Sequence, residues 1–407
     1  MSASVKNILL ICALTSQALI AADENGKVKA DGVSSFGQIF EDGKISGNLR
    51  SMYAGYSKKE QGEKDLYATA LGGYLKYETA ELNGFNTAAA FATSHDMGFA
   101  TGERGVKQND ELSSSDRKYT TLSEAYINYV YNDFNFRAGR QLIDTPLADS
   151  DDIRMILNTF EAFIATYKTS LFNFIAGKLQ KWQGYDAGLD HGWVKTGEDG
   201  TYFGGIVYSD SVIKSNAWYY NITKLTNASY FDATFSYGIS DCSSIVGAAQ
   251  YFRESEIDNS GIEASIYGLK AEAAFYGFTF SAAYNKAKKE EGKASFSGFG
   301  GGTLFTNMDT MILDDITNDR DARAVVGGIS YAIDDLTLSY AYGDFKGKSD
   351  SLGDKAHITE QNIKAEYSVI ADKFTLSAIY AIENDKENSL KNENDRSRLQ
   401  IMASYSF

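Results

Sequence analysis

Charged side chains crowd the segment from residue 144 to residue 154. Four aspartates, one arginine and the only proline of the chain fall within it: Asp144, Pro146, Asp149, Asp151, Asp152 and Arg154. Proline fixes its own φ angle and so restricts the local backbone. A loop with such charges can narrow a wide pore and focus an electric field across it, if it faces a wall of opposite charge. The alternative is an ordinary solvated loop.

Basic residues at polar strand positions form a second candidate site. Along a barrel strand every second side chain points into the lumen, where a charge avoids the lipid. Six cations have the polar parity of their predicted strands: Arg50, Arg137, Lys270, Lys364, Arg396 and Arg398. Arg140 has the opposite parity, so it needs a bulge, or a position near the loop, to reach the lumen. The alternative is that each cation pairs with a lumen carboxylate, as Lys364 could with Glu366.

The remaining polar residues predict no catalytic residue, no metal site and no cofactor. His95, His191 and His357 stand far apart in the sequence, with no nucleophile motif beside them. The acidic residues from 314 to 321 lack the glycine at the sharp turn of a helix-loop-helix calcium site. An enzyme built on a barrel is therefore the weaker alternative. The net charge of −15 argues against nucleic-acid binding, because no basic surplus can neutralise phosphates.

The elements that would position these residues are β-strands. The sequence has 27 Tyr, 24 Phe and 37 Gly but a single Pro, which favours strands that donate every backbone N–H to a ladder. After residue 21, no apolar run reaches the roughly 18 residues that a membrane-spanning helix needs. Both observations predict an all-β fold.

Polar and apolar residues alternate along many segments, as they do in the strands of a transmembrane barrel. In the segment 336–343, for example, Leu338 and Tyr340 share one face and Ser339 lies on the other. Aromatic-rich faces opposite small polar faces suit a barrel better than a soluble sandwich, whose core needs branched residues at close density. Eighteen strands, to within two, can be counted from Lys44 to Phe407, and an even number closes an antiparallel barrel. We predict a transmembrane antiparallel β-barrel with short periplasmic turns and long extracellular loops.

The N-terminus has the pattern of a secretory signal peptide. Lys6 precedes the apolar stretch Ile8–Ile20, and small residues suited to cleavage follow. Three parts are predicted: a signal peptide at 1–21, an N-terminal extension at 22–43 and the barrel at 44–407. Cleavage would leave Cys242 as the single cysteine, so the exported chain would form no internal disulfide.

Several segments resemble the OprD family of outer-membrane porins. Gly43–Arg50 resembles the first strand of that family, and Ala70–Thr79 resembles its second. The most specific block, Gly139–Ala162, resembles the strand into the family's constricting third loop, although Leu157 stands where the family often has proline. The resemblance implies an 18-stranded channel in which this loop and the loop Ala287–Arg323 line the narrowest point. It also implies that the seven basic residues form a ladder that guides carboxylates.

The C-terminal strand ends on an aromatic residue, Phe407, and such endings resemble the signal that the outer-membrane assembly machinery reads. These features predict an outer-membrane porin: a water-filled channel for passive diffusion of small hydrophilic solutes and ions, with carboxylate-bearing nutrients as one class. The expected partners are outer-membrane lipid and lipopolysaccharide, the assembly machinery and the solutes, with the barrel a monomer or a homotrimer. The alternative is an outer-membrane adhesin or structural surface barrel without transport.

Overall fold

The structure is a computed structural model that describes residues 36–58, 64–349, 354–387 and 395–407. The predicted signal peptide and most of the predicted extension lie outside these residues. A four-residue helix, α1 (Gln38–Glu41), precedes the first strand. Within the described ranges, no helix is long and apolar enough to cross a membrane.

Antiparallel strands make up most of the described chain. They are β1 (Lys44–Lys58), β2 (Leu66–Glu78), β3 (Phe85–Asp96), β4 (Lys118–Tyr131), β5 (Phe134–Gln141), β6 (Thr159–Lys168), β7 (Phe172–Gln183), β8 (Val194–Lys195), β9 (Thr201–Ser209), β10 (Ile213–Ile222), β11 (Thr226–Ser240), β12 (Ser243–Glu256), β13 (Ala264–Phe275), β14 (Phe278–Ala287), β15 (Asp321–Ile333), β16 (Leu336–Ser349), β17 (Asp354–Ile370), β18 (Phe374–Asp385) and β19 (Arg396–Ser406). A single-turn 3₁₀ helix (Leu313–Ile316) lies in the link before β15.

The strands form one closed barrel. Each barrel strand pairs with its neighbours in chain order, and β1 also pairs with β19, from Asn48 opposite Ser406 to Lys58 opposite Arg396. The two-residue strand β8 pairs only with the end of β7, which itself pairs with β9. Eighteen strands therefore make the wall, and the predicted closed antiparallel barrel is confirmed.

The links between strands lie at two ends of the barrel. At one end they are turns such as 132–133, 276–277 and 334–335. At the other end lie the loops 97–117, 142–158, 184–200 and 288–320, which we call the β3–β4, β5–β6, β7–β9 and β14–β15 loops. One link at this second end, residues 223–225 between β10 and β11, has only three residues. The weakly patterned region 202–227 contains two regular strands, β9 and β10, which the turn 210–212 joins at the first end.

The buried apolar core lies inside the barrel, between the wall and the inward-folded loops. The larger cluster includes the wall residues Phe160, Trp218, Tyr220 and Phe252 and the loop residues Leu147, Phe299 and Leu304. A smaller cluster joins Met52 of β1 to the loop residues Leu112 and Met155. Apolar side chains on the opposite face of the strands, such as Leu269 at 60% exposure, point outward. The loops are thus fixed to the inner wall by hydrophobic burial.

Candidate pore constriction

The β5–β6 loop folds into the barrel. Leu147 at its tip is 1% exposed. The N–H of Asp149 donates to the carbonyl of Phe299 at 3.1 Å, and the N–H of Phe299 donates to the carbonyl of Leu147 at 2.9 Å. Since Phe299 belongs to the β14–β15 loop, the two loops are joined along their backbones inside the lumen.

Pro146 occupies a tight turn of this loop. The N–H of Thr145 donates to the carbonyl of Ala148 at 2.7 Å, and the N–H of Ala148 donates back to Thr145 at 3.2 Å. Neither bond needs the N–H that proline lacks, so its fixed φ angle stiffens the turn without losing a hydrogen bond. The carboxylate of Asp144 accepts bonds from the N–H and the hydroxyl of Ser150, at 3.1 and 2.5 Å, and closes the loop over the turn.

Arg398 of β19 is the centre of an ion-pair network that joins three loops to the wall. Its side chain is 1% exposed and pairs with Glu111 of the β3–β4 loop and with Asp309 of the β14–β15 loop, the latter at 2.7 Å. Gln400, two residues along β19, donates to Glu111 at 2.6 Å. Arg154 of the β5–β6 loop donates to the same carboxylate at 3.1 Å. One buried glutamate therefore holds two arginines, each on a different element.

Arg50 of β1 joins this network from the neighbouring strand. Its guanidinium pairs with Asp152 at 2.5 Å and donates to the backbone carbonyl of Arg154 at 2.6 Å. Arg154 in turn pairs with Asp151 at 3.0 Å and lies over the ring of Tyr185 at 4.0 Å. Arg50 is 5% exposed, whereas the side chain of Asp152, which pairs with this inward guanidinium, is 53% exposed.

Burial changes the ionisation of the loop carboxylates. Burial removes solvent from the carboxylate of Asp149 and raises its pKa to about 6. The hydrogen bond that this carboxylate accepts from the N–H of Asp151 has the opposite effect on the pKa. Burial also raises the pKa of Asp144, although the two hydrogen bonds from Ser150 act to lower it. The pKa of Asp309 is raised to about 6 by burial, although Arg154 and the cations on β17 and β19 favour its charged form. Two carboxyl groups of these inward-folded loops, Asp149 and Asp309, therefore have pKa values of about 6.

Arg396 anchors the β14–β15 loop at a second point. It pairs with Glu383 of β18 at 3.3 Å, and the hydroxyl of Thr310 in the loop donates to the same carboxylate at 2.6 Å. The N–H of Thr310 donates to Glu360 of β17 at 3.1 Å. The segment after Asp309 is thus bound to two wall strands.

Arg137 lies elsewhere on the lumen wall, on β5. Its guanidinium stacks over the ring of Tyr126 at 4.3 Å and donates to Asn128 at 3.2 Å. Lys76 of β2 lies over the same ring at 5.1 Å and pairs with Glu124 at 3.0 Å. Tyr126 therefore contacts two cations from different strands, and the carboxylates of Glu78 and Glu124 lie beside them.

Lys270 and Lys364 face the lumen and pair with carboxylates of their own strands. Lys270 pairs with Glu272 at 2.6 Å. Lys364 pairs with Glu366 at 2.9 Å, and its side chain is 43% exposed. The pairing that the sequence offered as the alternative for Lys364 is thus present in the structure. Lys364 remains near enough to Asp309 to favour its ionised form.

Arg140 is separated from the other candidates. It has the parity of Phe134 and Phe136, which are each 37% exposed on the outside of β5. Its guanidinium lies over Trp193 at 4.5 Å and is 3.8 Å from the carboxylate of Glu161. The bulge between Glu161 and Ala162 affects the β6–β7 pairing and leaves Arg140 opposite Glu161 in register.

The structure thus brings Arg50 and Arg398 together with the charged β5–β6 loop, with Arg396 beside them. Arg137, Lys270 and Lys364 lie separately on the inner wall. Glu111 and Asp309 are central to the network but were not singled out in the sequence, because irregular polar loops have no periodicity that would identify an inward side chain. Lys76 was also missed, although the alternation Tyr74, Lys76, Glu78 on β2 would have predicted its inward direction.

Solved structures share this architecture. OccAB2 of Acinetobacter baumannii aligns with a TM-score of 0.78 at 16% identity, over 91% of this chain and 98% of its own. OccK9 (OpdG) of Pseudomonas aeruginosa aligns with a TM-score of 0.78 at 14% identity, over 91% and 99%. OpdK of Pseudomonas aeruginosa, solved with vanillate, gives 0.74 at 16% identity over 91% and 99%. The chain has the fold of these OprD-family porins.

The OprD-type barrel accounts for the whole described wall, since the alignments cover nearly the full length of both chains. At 14–16% identity the similarity concerns the fold. No protein-family model matches the sequence, and no curated protein matches it either.

Proposed function

We propose that this protein is an outer-membrane porin through which small hydrophilic solutes and ions diffuse passively. The observation that carries this proposal is the meeting of three loops inside a closed barrel, at a charged network around Arg398. A barrel of eighteen strands is wide enough for an aqueous channel. Loops that fold inward narrow this channel and set which solutes pass.

The direction of the loops favours a channel over an adhesin or a structural barrel. An adhesin presents its loops to the exterior, whereas Leu147 and Phe299 are buried against the inner wall. Burying charged groups such as Arg398 and Glu111 has a large desolvation cost, which a passive scaffold has no need to meet. A selective passage uses these groups to position loops and to set the field across the pore.

The basic residues have two roles in this proposal. Arg398 and Arg50 are almost fully buried; Arg398 pairs with two loop carboxylates, and Arg50 pairs with Asp152 and a loop carbonyl, so both clamp the loops. Lys364, Arg396 and Arg137 are partly exposed and are the cations that a passing carboxylate can meet. The exposed carboxylate of Asp152 has the opposite charge to these cations, and together they produce an electric field across the passage. Small carboxylate-bearing nutrients are the class that this arrangement guides.

The outer surface supports the proposed location. Its apolar side chains would face the lipid of the outer membrane, with lipopolysaccharide around the rim. Tyr405 and Phe407 lie exposed at the end of β19, where the assembly machinery would bind them. The barrel would work as a monomer or as a homotrimer, which chemical crosslinking in the membrane distinguishes.

Electrical recording tests the proposal. Folded protein added to a planar bilayer is expected to give discrete conductance steps, and proteoliposomes are expected to swell in small sugars or amino acids. A barrel that migrates as a folded species on an unheated denaturing gel, yet gives neither conductance steps nor swelling, would be a surface barrel without transport. The proposal would then be wrong.

A further inference from the structure

A row of three cations and one histidine crosses four neighbouring strands on the outside of the barrel. Lys286 of β14 is directly opposite Arg323 of β15, Arg323 is opposite Lys346 of β16, and Lys346 is opposite His357 of β17. We call these four residues the outer basic row. The residues next to them along each strand, such as Ala322, Phe345 and Ala356, are buried on the inward side of the wall. The row therefore points away from the lumen.

The charges of this row are only partly neutralised. Lys286 pairs with Asp321, and Asp344 accepts bonds from Lys346 at 2.6 Å and from His357 at 2.8 Å. Arg323, the central cation, is exposed and forms no ion pair with any residue that the structure describes. Like charges directly opposite each other on neighbouring strands repel. An anion that bridges Arg323 and its neighbours would relieve this repulsion.

The row lies on the same face as the lipid-facing surface. An apolar row on these strands consists of Phe280, Ile329, Tyr340 and Ile363, which are opposite one another in register and are 38–53% exposed. Arg323 is six residues from Ile329, a distance of about 20 Å along an extended strand. The outer basic row is thus beyond the apolar band, near the end of the barrel that carries the loops, where lipid headgroups lie.

We propose that the outer basic row binds a phosphate group of a phosphorylated lipid headgroup in the outer leaflet. Guanidinium and ammonium groups are the side chains that recognise phosphate, and arginine can do so with two parallel bonds. The chain as a whole has a net charge of −15, so a local surplus of cations on its outer wall opposes the general charge. This inference rests on the proposed membrane location.

Lipid binding by the refolded protein tests the proposal. Wild-type protein in lipid-free detergent is titrated with bisphosphorylated lipid A, with the same lipid after removal of its phosphates, and with inorganic phosphate alone, and bound lipid is counted by native mass spectrometry. The double variant Arg323→Gln/Lys346→Gln is expected to bind roughly thirtyfold more weakly, because each cation near an anionic membrane surface contributes about a fivefold factor. Asp344→Asn is expected to bind more tightly, since it removes the competing carboxylate.

Lys373→Gln is the matched control, because it removes a cation from the turn at the opposite end of the barrel. It is expected to bind lipid A as the wild type does. Equal binding by the double variant and the wild type would overturn the proposal. So would equal binding of the phosphorylated and dephosphorylated lipids, while competition by inorganic phosphate at modest concentration would show a free-anion site instead. The single variant Arg323→Gln serves if the double variant does not fold.

Conductance separates this inference from the proposed function. Because the row points away from the lumen, the double variant is expected to keep the wild-type conductance. Normal conductance with unchanged lipid binding would refute the lipid site alone. Phosphate-dependent lipid binding by a barrel without conductance would refute the channel alone.

Discussion

Replacing Arg398 by glutamine is expected to release the loops that narrow the lumen. The substitution leaves Asp309 without its buried cation and Glu111 with Arg154 alone, and both carboxylates are at most 7% exposed. Removing one partner of a buried ion pair costs about 3–5 kcal/mol, because the other charge remains buried and unpaired. A cost of that size shifts the ratio of inward to released loop by a factor of about 150 to 4,000.

Single-channel recording measures this release. The variant is expected to form steps of higher conductance than the wild type, with more frequent transitions between levels, since a loop that leaves the lumen widens the passage. The wall should remain intact, because the backbone ladder between β1 and β19 does not depend on the side chain. Migration of the variant as a folded species on an unheated denaturing gel checks that the wall is intact.

Lys364→Gln is the matched control, because it also removes one lumen cation but breaks only a half-exposed pair with Glu366. Exposed pairs contribute about 0–1 kcal/mol, so its conductance should stay close to that of the wild type. If Arg398→Gln and the control give the same conductance levels, the argument that Arg398 holds the loops is refuted.

Three further predictions concern selectivity and assembly. Since burial raises the pKa of Asp149 to about 6, this carboxyl is mostly neutral at pH 5 and ionised at pH 8. Reversal potentials in a salt gradient should therefore shift toward cation selectivity as the pH rises, and Asp149→Asn should weaken that shift. An unchanged pH dependence in the variant would contradict this prediction. Arg137→Gln combined with Lys364→Gln should move the reversal potential toward cations without changing loop position, whereas no shift would remove both from the path of ions. Deletion of Phe407 should lower the amount of folded barrel in outer membranes, measured by heat-modifiable migration, and normal amounts would contradict its proposed role.

The wall of the barrel could be predicted from the sequence because strand alternation reports the direction of each side chain. The parity of the first and last strands placed Arg50 and Arg398 in the lumen, and closure of the barrel placed their strands side by side. The structure agrees on both points. These are local patterns combined with one topological rule, that an even antiparallel sheet can close on itself.

The network itself could not be predicted from the sequence. Glu111 is 287 residues from Arg398 in the chain, and it lies in a loop whose polar residues follow no period. Leu112 packs against Met52 of the wall, and the neighbouring carboxylate reaches Arg398 from that position. The same limit applies to Asp309. Arg140 shows the converse, because its parity indicates the outside, and its place in the ladder needed a bulge or a position near the loop; the bulge in the β6–β7 pairing does not redirect it.

The central claim, that the charged network forms the narrowest part of a water-filled channel, is tested most directly by thiol modification at Asp152. This side chain is 53% exposed in the lumen, and Cys242 is the only cysteine of the described residues, so Asp152→Cys is made together with Cys242→Ser. A charged thiol reagent added during recording is expected to lower the conductance of this variant in discrete steps, while Lys373→Cys in the same background is unaffected. Complete modification of the cysteine at position 152, shown by mass spectrometry, with no change in current would contradict the claim.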